Sequence, residues 1–237
     1  MTALGLFAPE SSMNAVIRAK EDTLVVGLPV IGAVFKSLGA PFTWRALVRE
    51  ATSVPSMTEV AHITAPATAM LKAERVILNF ITHLSGIANL TARYVRELEG
   101  TGVRLLDTRK TTPGLRWVEK YAVQAGGGHN HRKNLTEMLM LKDNHIDAAG
   151  SITAAVAKLR AHYAPCPPIE VECRTLDHVR EAVAAKADRI MMDNMDGQRL
   201  SEALALVPRS IETEVRIPSA PLRSPSRAGP ILFLWGV

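Results

Sequence analysis

The spacing of apolar residues changes near residue 100 and divides the chain into two parts. The first part carries short runs of branched apolar residues, which predict strands at residues 15–20, 23–26, 44–48 and 60–64. Residues 29–39 predict a helix, because proline suits its first position and glycine its end. Pro66 opens a second helical pattern, which Ser85-Gly86 interrupts. We therefore predict two successive helices there, the second over residues 87–98.

In the second part, short apolar strands alternate with longer helices. The predicted strands cover residues 103–107, 138–141, 169–173, 189–193 and 211–215. The predicted helices begin at Thr112, Ser151, Thr175 and Asp196, and glycines from Gly126 onward end the first of them. This alternation is typical of parallel strands joined by crossover helices. It predicts a barrel-like α/β domain.

Ionisable residues gather where these strands end, which is where parallel α/β barrels carry their functional groups. They lie at residues 107–110 and 142–145, at Glu170, Glu172 and Asp193, and in the histidine-containing loop 126–132. Arginine pairs bidentately with carboxylate or phosphate oxygens, and lysine adds a point charge. Carboxylates hold Mg²⁺ or the hydroxyls of a sugar. The combination predicts a site for a polyanionic, metal-bound substrate such as a sugar pyrophosphate.

Two motifs of the second part are distinctive: Asp-Thr-Arg-Lys-Thr-Thr-Pro-Gly at 107–114 and Gly-Gly-Gly-His-Asn-His-Arg at 126–132. Further characteristic motifs lie at residues 73–80, 84–88, 119–123, 141–146, 169–172 and 192–194. Taken in order, these motifs resemble the quinolinate phosphoribosyltransferase family. The resemblance covers about residues 14–215.

The resemblance implies the family's fold, an N-terminal α/β sandwich followed by an open parallel α/β barrel. The domains that follow from it are residues 1–85 for the sandwich, 86–215 for the barrel and 216–237 for a divergent tail. It also implies a homodimer paired head to tail. The implied reaction joins quinolinate to phosphoribosyl pyrophosphate with Mg²⁺. It yields nicotinate mononucleotide, pyrophosphate and carbon dioxide, a step in de novo NAD synthesis.

The resemblance also implies roles for individual residues. The cations expected to face the quinolinate carboxylates are Arg75 from the neighbouring subunit, Arg109, His131, Arg132 and Lys142. Lys110 serves the pyrophosphate end, whereas Glu172 and Asp193 serve the ribose and its Mg²⁺. The residues expected to take part in catalysis are Lys110, Lys142, Glu172 and Asp193. No side chain need act as a nucleophile, because the ring nitrogen of the acceptor attacks the sugar.

The chain departs from the family's pattern at both ends. Its start lacks the leading helix, and the sequence after Val215 lacks the Ser/Gly-rich loop that binds the 5′-phosphate. Four prolines between residues 216 and 230 forbid a crossover helix in that segment. A reading-frame shift near Val215 would produce such a tail. We expect a barrel that is incomplete at its C-terminal end and a chain that turns over poorly.

Composition and charge limit which classes of protein and of partner remain open. The hydrophobic content of 47% and charged content of 22% indicate an ordinary globular protein with a sizeable core. The net charge is +5, but without the three arginines from Arg216 onward 25 basic and 23 acidic residues remain. No basic stripe alternates with aromatic residues, which argues against a nucleic-acid partner. The longest apolar stretch, residues 24–35, is too short and too broken to span a membrane.

We see no signal peptide, and the two cysteines show no metal-binding spacing, so we expect a cytoplasmic protein. Two alternatives to an active transferase stay open. One is a paralogue of the same fold, such as the relative found at molybdenum loci, which would act on a different acceptor. The other is a catalytically impaired chain that serves only as a partner subunit.

Overall fold

The computed structural model describes residues 7, 8, 11–216 and 231–233. The chain forms two compact units. The first contains the residues up to Arg93 together with 118–127, and the second contains 94–117 and the residues from Gly128 onward. Among the described residues, no helix is both long and apolar enough to cross a membrane.

Most of the first unit consists of five strands and two helices. They are β1 (Ser12–Arg18), β2 (Thr23–Val25), α1 (Val30–Ser37), β3 (Thr43–Ala46), β4 (Thr52–Val54), β5 (Glu59–Pro66) and α2 (Ala67–Glu97), whose last turn belongs to the second unit. Strand β5 lies between β1 and β3 in an antiparallel sheet, and β2 pairs with β4 in a separate antiparallel ribbon. The sequence did not predict β4, whose three residues carry too short a pattern to recognise.

The core of the first unit is apolar. On α1, Ile31 and Phe35 lie one turn apart and are fully buried. On β5, Ile63 is buried beside residues of α2 such as Ala73 and Ile77, which recur at helical spacing. The faces that bury these residues are those that the apolar spacing predicts.

Helix α2 runs without a break through Ser85 and Gly86, so the predicted interruption is wrong. Tertiary contacts hold the helix together at this point. The Ser85 hydroxyl accepts a hydrogen bond from the backbone N–H of Val26 at 2.9 Å, while Leu84 and Ala88 pack with Val26 in one apolar cluster. A glycine inside a helix costs only about 1 kcal/mol, which packing of this kind offsets.

The second unit is an α/β barrel sheet with its crossover helices. Its elements are β6 (Arg104–Leu106), α3 (Arg116–Ala125), β7 (Leu139–Leu141), α4 (Asp143–Ala149), α5 (Ile152–His162), β8 (Ile169–Cys173), α6 (Leu176–Ala184), β9 (Arg189–Asp193), α7 (Gly197–Leu206), β10 (Glu212–Arg216) and β11 (Ile231–Phe233). The part of α3 from Val118 onward belongs to the first unit. All neighbouring strands are parallel, in the order β6-β11-β10-β9-β8-β7. Among the described strands, β6 and β7 stand at the ends of this order, so the sheet is open, as predicted.

Strand β8 shows how the barrel separates its two faces. All five of its residues are buried. Ile169, Val171 and Cys173 belong to the apolar cluster that the helices cover. Because successive side chains alternate across a strand, Glu170 and Glu172 occupy the opposite, inner face. On this strand the inner face is therefore charged, whereas the outer face is apolar.

Two local features differ from the predictions. Helix α3 begins at Arg116 rather than near Thr112, because Gly114 adopts a left-handed conformation with φ of 81° that a right-handed helix cannot contain. Helix α4 follows β7 directly and was not predicted, since residues 143–149 carry too few apolar positions for a helical pattern.

The C-terminal segment corrects one prediction. Strand β10 includes Arg216, which we had assigned to the tail. Residues 231–233 form a parallel strand between β10 and β6, so part of the segment that we assigned to a divergent tail joins the sheet. The prolines predicted to exclude a helix lie at residues 218–230, outside the described residues.

Candidate active site

The carboxyl ends of neighbouring barrel strands bring charged side chains to one rim of the second unit. Lys142 follows β7, Arg174 follows β8, and Asp193 and Arg216 end β9 and β10. Glu172 lies one residue before the end of β8 and points to the inner face. Parallel strands end at the same edge of their sheet, so residues far apart in sequence become neighbours here. We call this set the strand-end cluster.

Ion pairs connect the members of the strand-end cluster. Lys142 Nζ donates a hydrogen bond to Glu172 Oε2 at 2.8 Å. Arg174 Nη2 lies 3.5 Å from Glu172 Oε1, and its Nε lies 3.8 Å from Asp193 Oδ2. Arg174 Nη1 also contacts Asp143 Oδ2 at 2.9 Å. The nearby Asp143 carboxylate raises the pKa of the Arg174 guanidinium, and each side stabilises the other's charge.

Two further cations join the cluster. Arg216 Nη1 lies 3.3 Å from Asp193 Oδ1. Burial lowers the pKa of Lys110, and the positive charges of Arg216 and Lys142 lower it further. Lysines and arginines therefore outnumber the carboxylates at this rim. An excess of fixed positive charge suits a polyanionic ligand such as a pyrophosphate.

The loop after α3 is fixed to the end of β6 by backbone and side-chain hydrogen bonds. The backbone of His129 bonds to Leu105 and Asp107, and pairs with β6 like a short additional strand. Asp107 Oδ1 then accepts a hydrogen bond from the backbone N–H of His131 at 2.8 Å. His131 is 5% exposed, and its Nε2 lies 2.9 Å from Glu170 Oε2 inside the barrel. Both ends of this residue are therefore held.

Two arginines near this loop are partly desolvated. Arg132 Nη1 donates to the carbonyl of Met138 at 2.9 Å, and Nη2 contacts Met140 Sδ at 3.5 Å. Burial lowers the pKa of Arg132, and the positive charge of Arg109 lowers it further. Arg109 Nε is buried and has no hydrogen-bond partner among the described residues. A buried donor without a partner costs about 1–3 kcal/mol, so an anion that accepts from it would bind favourably.

The structure brings most of the predicted site residues into the second unit. Lys110, Lys142, Glu172 and Asp193 interact electrostatically at the strand ends. Arg75 lies on an exposed face of α2, in the first unit. The roles that the resemblance assigns to these residues stay predictions.

Sequence reasoning missed several charged residues at the strand ends and on the inner face of the barrel. Arg174 follows β8 as Lys142 follows β7, so its position at a strand end was a usable signal. Glu214 alternates with Glu212 on β10 in the way that Glu170 alternates with Glu172, and this repetition pointed to a second charged inner face. Arg189 carried no comparable signal, because a single arginine at the start of a strand is usually solvated.

The sequence profiles of one family match both parts of the chain. The profile for the quinolinate phosphoribosyl transferase N-terminal domain matches residues 1–85, and that for the C-terminal domain matches residues 87–220. The chain belongs to the quinolinate phosphoribosyl transferase family. The resemblance inferred from the motifs is confirmed.

Two curated relatives of the family show how much of a whole protein the chain matches. A probable nicotinate-nucleotide pyrophosphorylase (carboxylating) of Synechocystis sp. is 43% identical over 189 residues, which are 80% of this chain and 64% of that protein. Its counterpart in Bacillus subtilis is 42% identical over 214 residues, 90% of this chain and 74% of that protein. The match thus spans just under two thirds of the first relative.

Solved structures of the family share the fold. The crystal structure of NadC from Streptococcus pyogenes is 36% identical to this chain, with a TM-score of 0.89, and the match covers 99% of this chain and 84% of that one. A nicotinate-nucleotide pyrophosphorylase from Ehrlichia chaffeensis gives a TM-score of 0.89 at 32% identity, covering 98% and 85% of the two chains. The predicted fold class is confirmed.

Proposed function

We propose that this chain transfers the phosphoribosyl group of phosphoribosyl pyrophosphate to quinolinate, with loss of carbon dioxide, in de novo NAD synthesis. The products are nicotinate mononucleotide and pyrophosphate. The observation that carries the proposal is the cation-rich strand-end cluster, together with two partly buried arginines of the same unit. The cluster suits the pyrophosphate of the donor, and the arginines suit an acceptor with two carboxylates.

The acceptor is held through its two carboxylates. Arg109 brings a buried Nε donor that lacks a partner among the described residues, and Arg132 brings a half-buried guanidinium fixed by the carbonyl of Met138. His131 adds a ring that Glu170 holds. Fixed donors of this kind set the pose of the acceptor before the reaction, so that its ring nitrogen faces C1 of the ribose.

The chemistry follows from this pose. The ring nitrogen uses its lone pair to bond to C1 of the ribose, while the bond from C1 to the pyrophosphate oxygen breaks. The transition state carries oxocarbenium character on the sugar, and Lys110 and Lys142 stabilise the charge of the departing pyrophosphate. The new bond leaves the ring nitrogen cationic. The carboxylate on the adjacent carbon then leaves as carbon dioxide, its electrons pass to the ring, and a proton takes its place.

Magnesium fits this site only as an ion that arrives bound to phosphoribosyl pyrophosphate. Glu172 is already in contact with Lys142 and Arg174, and Asp193 with Arg174 and Arg216. A magnesium ion bound directly by these carboxylates would have to displace those cations. We therefore keep Mg²⁺ as a proposed cofactor that enters with the pyrophosphate, where it would neutralise phosphate charge. Glu172 and Asp193 are proposed to meet it or the ribose hydroxyls there.

We further propose that the chain forms a homodimer whose two sites share residues. We also propose that it works in the cytoplasm. The support is Arg75, an exposed arginine of α2 that the family resemblance assigns to the site of a neighbouring subunit. An inactive Arg75→Ala chain mixed with an inactive Lys142→Ala chain should regain partial activity through hybrid sites. Absence of complementation, despite demonstrated exchange of subunits, would count against sharing.

A second candidate function is a catalytically impaired partner subunit. It is favoured by the sequence after Val215, which has no Ser/Gly-rich loop to hold the 5′-phosphate. Loss of such remote binding lowers turnover as well as affinity. A paralogue with another acceptor is a third candidate, which the paired Arg109 and Arg132 make less suitable, because they match a dicarboxylate.

The deciding experiment combines calorimetry with a steady-state assay on the purified chain. We expect quinolinate to bind, and Arg109→Ala or Arg132→Ala to weaken it by roughly 2–5 kcal/mol. With phosphoribosyl pyrophosphate and Mg²⁺, turnover of about 1–10³ per second identifies an active transferase. Binding without turnover identifies the impaired subunit. Wild-type quinolinate affinity in both arginine variants would rule out the proposed acceptor site.

A further inference from the structure

A second group of charges lies inside the barrel and shares no member with the strand-end cluster. It consists of His131, Glu170, Arg189 and Glu214, and we call it the interior cluster. Glu170 and Glu214 are fully buried, and the His131 side chain is 3% exposed. Charged groups are rarely buried to this extent without a partner or a purpose.

The contacts within the interior cluster are unequal. His131 Nε2 lies 2.9 Å from Glu170 Oε2, within hydrogen-bond distance, but 3.6 Å from Glu214 Oε2. Arg189 Nη1 lies 3.7 Å from Glu170 Oε2 and 3.6 Å from Glu214 Oε2. The one short contact in the group thus joins His131 to Glu170.

Because the contacts are unequal, the carboxyl groups of Glu170 and Glu214 have different surroundings. Burial raises the pKa of Glu214 to about 9, and the charge of Glu170 contributes to this rise. Neither Glu214 oxygen has a hydrogen-bond partner among the described residues. The 2.9 Å contact therefore singles out Glu170, rather than Glu214 at 3.6 Å, as the partner of His131 Nε2.

The arrangement invites comparison with a metal site, since ligand atoms of His131, Glu170 and Glu214 lie within 4.8 Å of one another. Arg189 argues against that use. Its guanidinium already places a permanent positive charge beside both carboxyl groups. A divalent cation in the same space would be repelled by it.

We propose that Glu170 is a positioning residue that holds the His131 ring as a fixed Nε2–H donor, with Arg189 and Glu214 completing its surroundings. Because the Nε2–H is donated to Glu170, only the other edge of the ring can be turned toward the carboxylates of the acceptor, and that edge is held in a single orientation. This inference rests on the proposed function for its consequence, but not for its geometry. The backbone of His131 is independently held by Asp107, so Glu170 sets the ring rather than the loop.

Nitrogen-15 NMR of labelled histidine in the substrate-free protein tests the geometry without any assay of activity. We expect His131 to carry a proton on Nε2 in the wild type. Glu170→Met, which has similar volume and no acceptor oxygen, should remove the single ring environment, whereas Glu170→Gln retains an acceptor and should preserve it. An Nε2 that carries no proton in the wild type overturns the proposal. So does coordination of added Zn²⁺ by this nitrogen.

Binding and kinetics test the consequence. Glu170→Met should weaken quinolinate binding about tenfold to a hundredfold, the range for a lost hydrogen bond to a charged group. The KM for phosphoribosyl pyrophosphate should change less than about twofold, whereas a general loss of structure would change this KM as well. Glu170→Gln should recover most of the quinolinate affinity, and Glu202→Gln on the exposed face of α7 is the matched control. Wild-type quinolinate affinity in folded Glu170→Met overturns the proposal.

The failure modes can be separated. If the wild type binds no quinolinate, the proposed function fails, and the NMR measurement still decides whether Glu170 orients His131. If Glu170→Met does not fold, Glu214→Gln provides the second variant, because it leaves the short contact intact. We then expect unchanged histidine spectra and near wild-type quinolinate affinity. Loss of the His131 Nε2 proton in Glu214→Gln would show that Glu214, not Glu170, holds the ring.

Discussion

The cores of the two units are built from different residues. In the first unit, Phe35, Ile31 and Ile63 fill the core with apolar side chains, and changes there alter packing alone. In the second unit, the helices cover an apolar outer face, while the inner face of the barrel strands carries Glu170, Glu172 and Glu214. The comparison teaches that barrel strands such as β8 carry their buried carboxylates on the face opposite to the one that packs against the helices. Substitutions in the core of the first unit should therefore change stability alone. In the barrel, substitutions on the outer face should change stability, whereas those on the inner face should change activity.

The largest expected effect lies in the apolar core of the first unit. Phe35 is fully buried and stacks on Phe42, with ring centroids 5.1 Å apart. Phe35→Ala should lower the free energy of unfolding by about 3–5 kcal/mol, because it removes apolar contacts and leaves a cavity. Denaturant titration measures this, with Phe35→Leu as the milder control. A loss below about 1 kcal/mol would show that the site collapses around the smaller side chain.

Substitutions in the strand-end cluster should instead lower activity and leave stability nearly unchanged. Lys142 is 43% exposed at its side chain, so its loss leaves no cavity, but its Nζ contacts Glu172 at 2.8 Å. If the chain is active, Lys142→Ala should lower kcat/KM by about 10²–10³-fold, the usual effect of losing one charge-stabilising donor. The melting temperature should hardly change. Lys158→Ala, on the surface helix α5, is the matched control, and equal activity in both variants would remove Lys142 from the site.

Phe35 and Lys142 also show how much of the fold and of the site could be predicted from the sequence. The apolar spacing predicted the burial of the first-unit helices, and the alternation of strands and helices placed Lys142, Glu172 and Asp193 on one rim. Family motifs led to the prediction of acceptor-binding residues, which spacing alone could not have made. The break at Ser85-Gly86 was wrong because the contacts that hold α2 together come from Val26, 59 residues away. The interior cluster was missed because its four members lie on separate elements, and only the fold brings them together.

The buried charges of the barrel should make the stability of the second unit depend on pH. Burial raises the pKa of Glu214 to about 9, from 4.5 for an ordinary glutamate. Below about pH 4.5 the group is protonated in both states, so it causes no loss. Between about 4.5 and 9 the unfolded chain releases the proton and the folded chain retains it, so stability falls as pH rises.

The slope from this one group is at most about 1.4 kcal/mol for each pH unit. Chemical denaturation of the wild type and of Glu214→Gln across this range isolates it, because the glutamine cannot titrate. We expect the difference in unfolding free energy between the two proteins to shift in favour of the variant as pH rises. A difference that is constant with pH would mean that Glu214 is ionised in the folded protein.

The smallest expected effect comes from a charge pair on the surface of the same unit. Arg180 Nη1 contacts Asp177 Oδ1 at 2.7 Å on helix α6, which is closer than any ion pair of the interior cluster. Distance alone would rank it as the stronger interaction. Both side chains are largely solvent-exposed, at 56% and 91%, so water screens the pair and little is gained by forming it. Arg180→Ala should change the free energy of unfolding by less than about 0.5 kcal/mol, measured by denaturant titration at low and high salt. A loss above about 1 kcal/mol would show that short distance outweighs exposure in this fold, and that the interior cluster owes its importance to something other than burial.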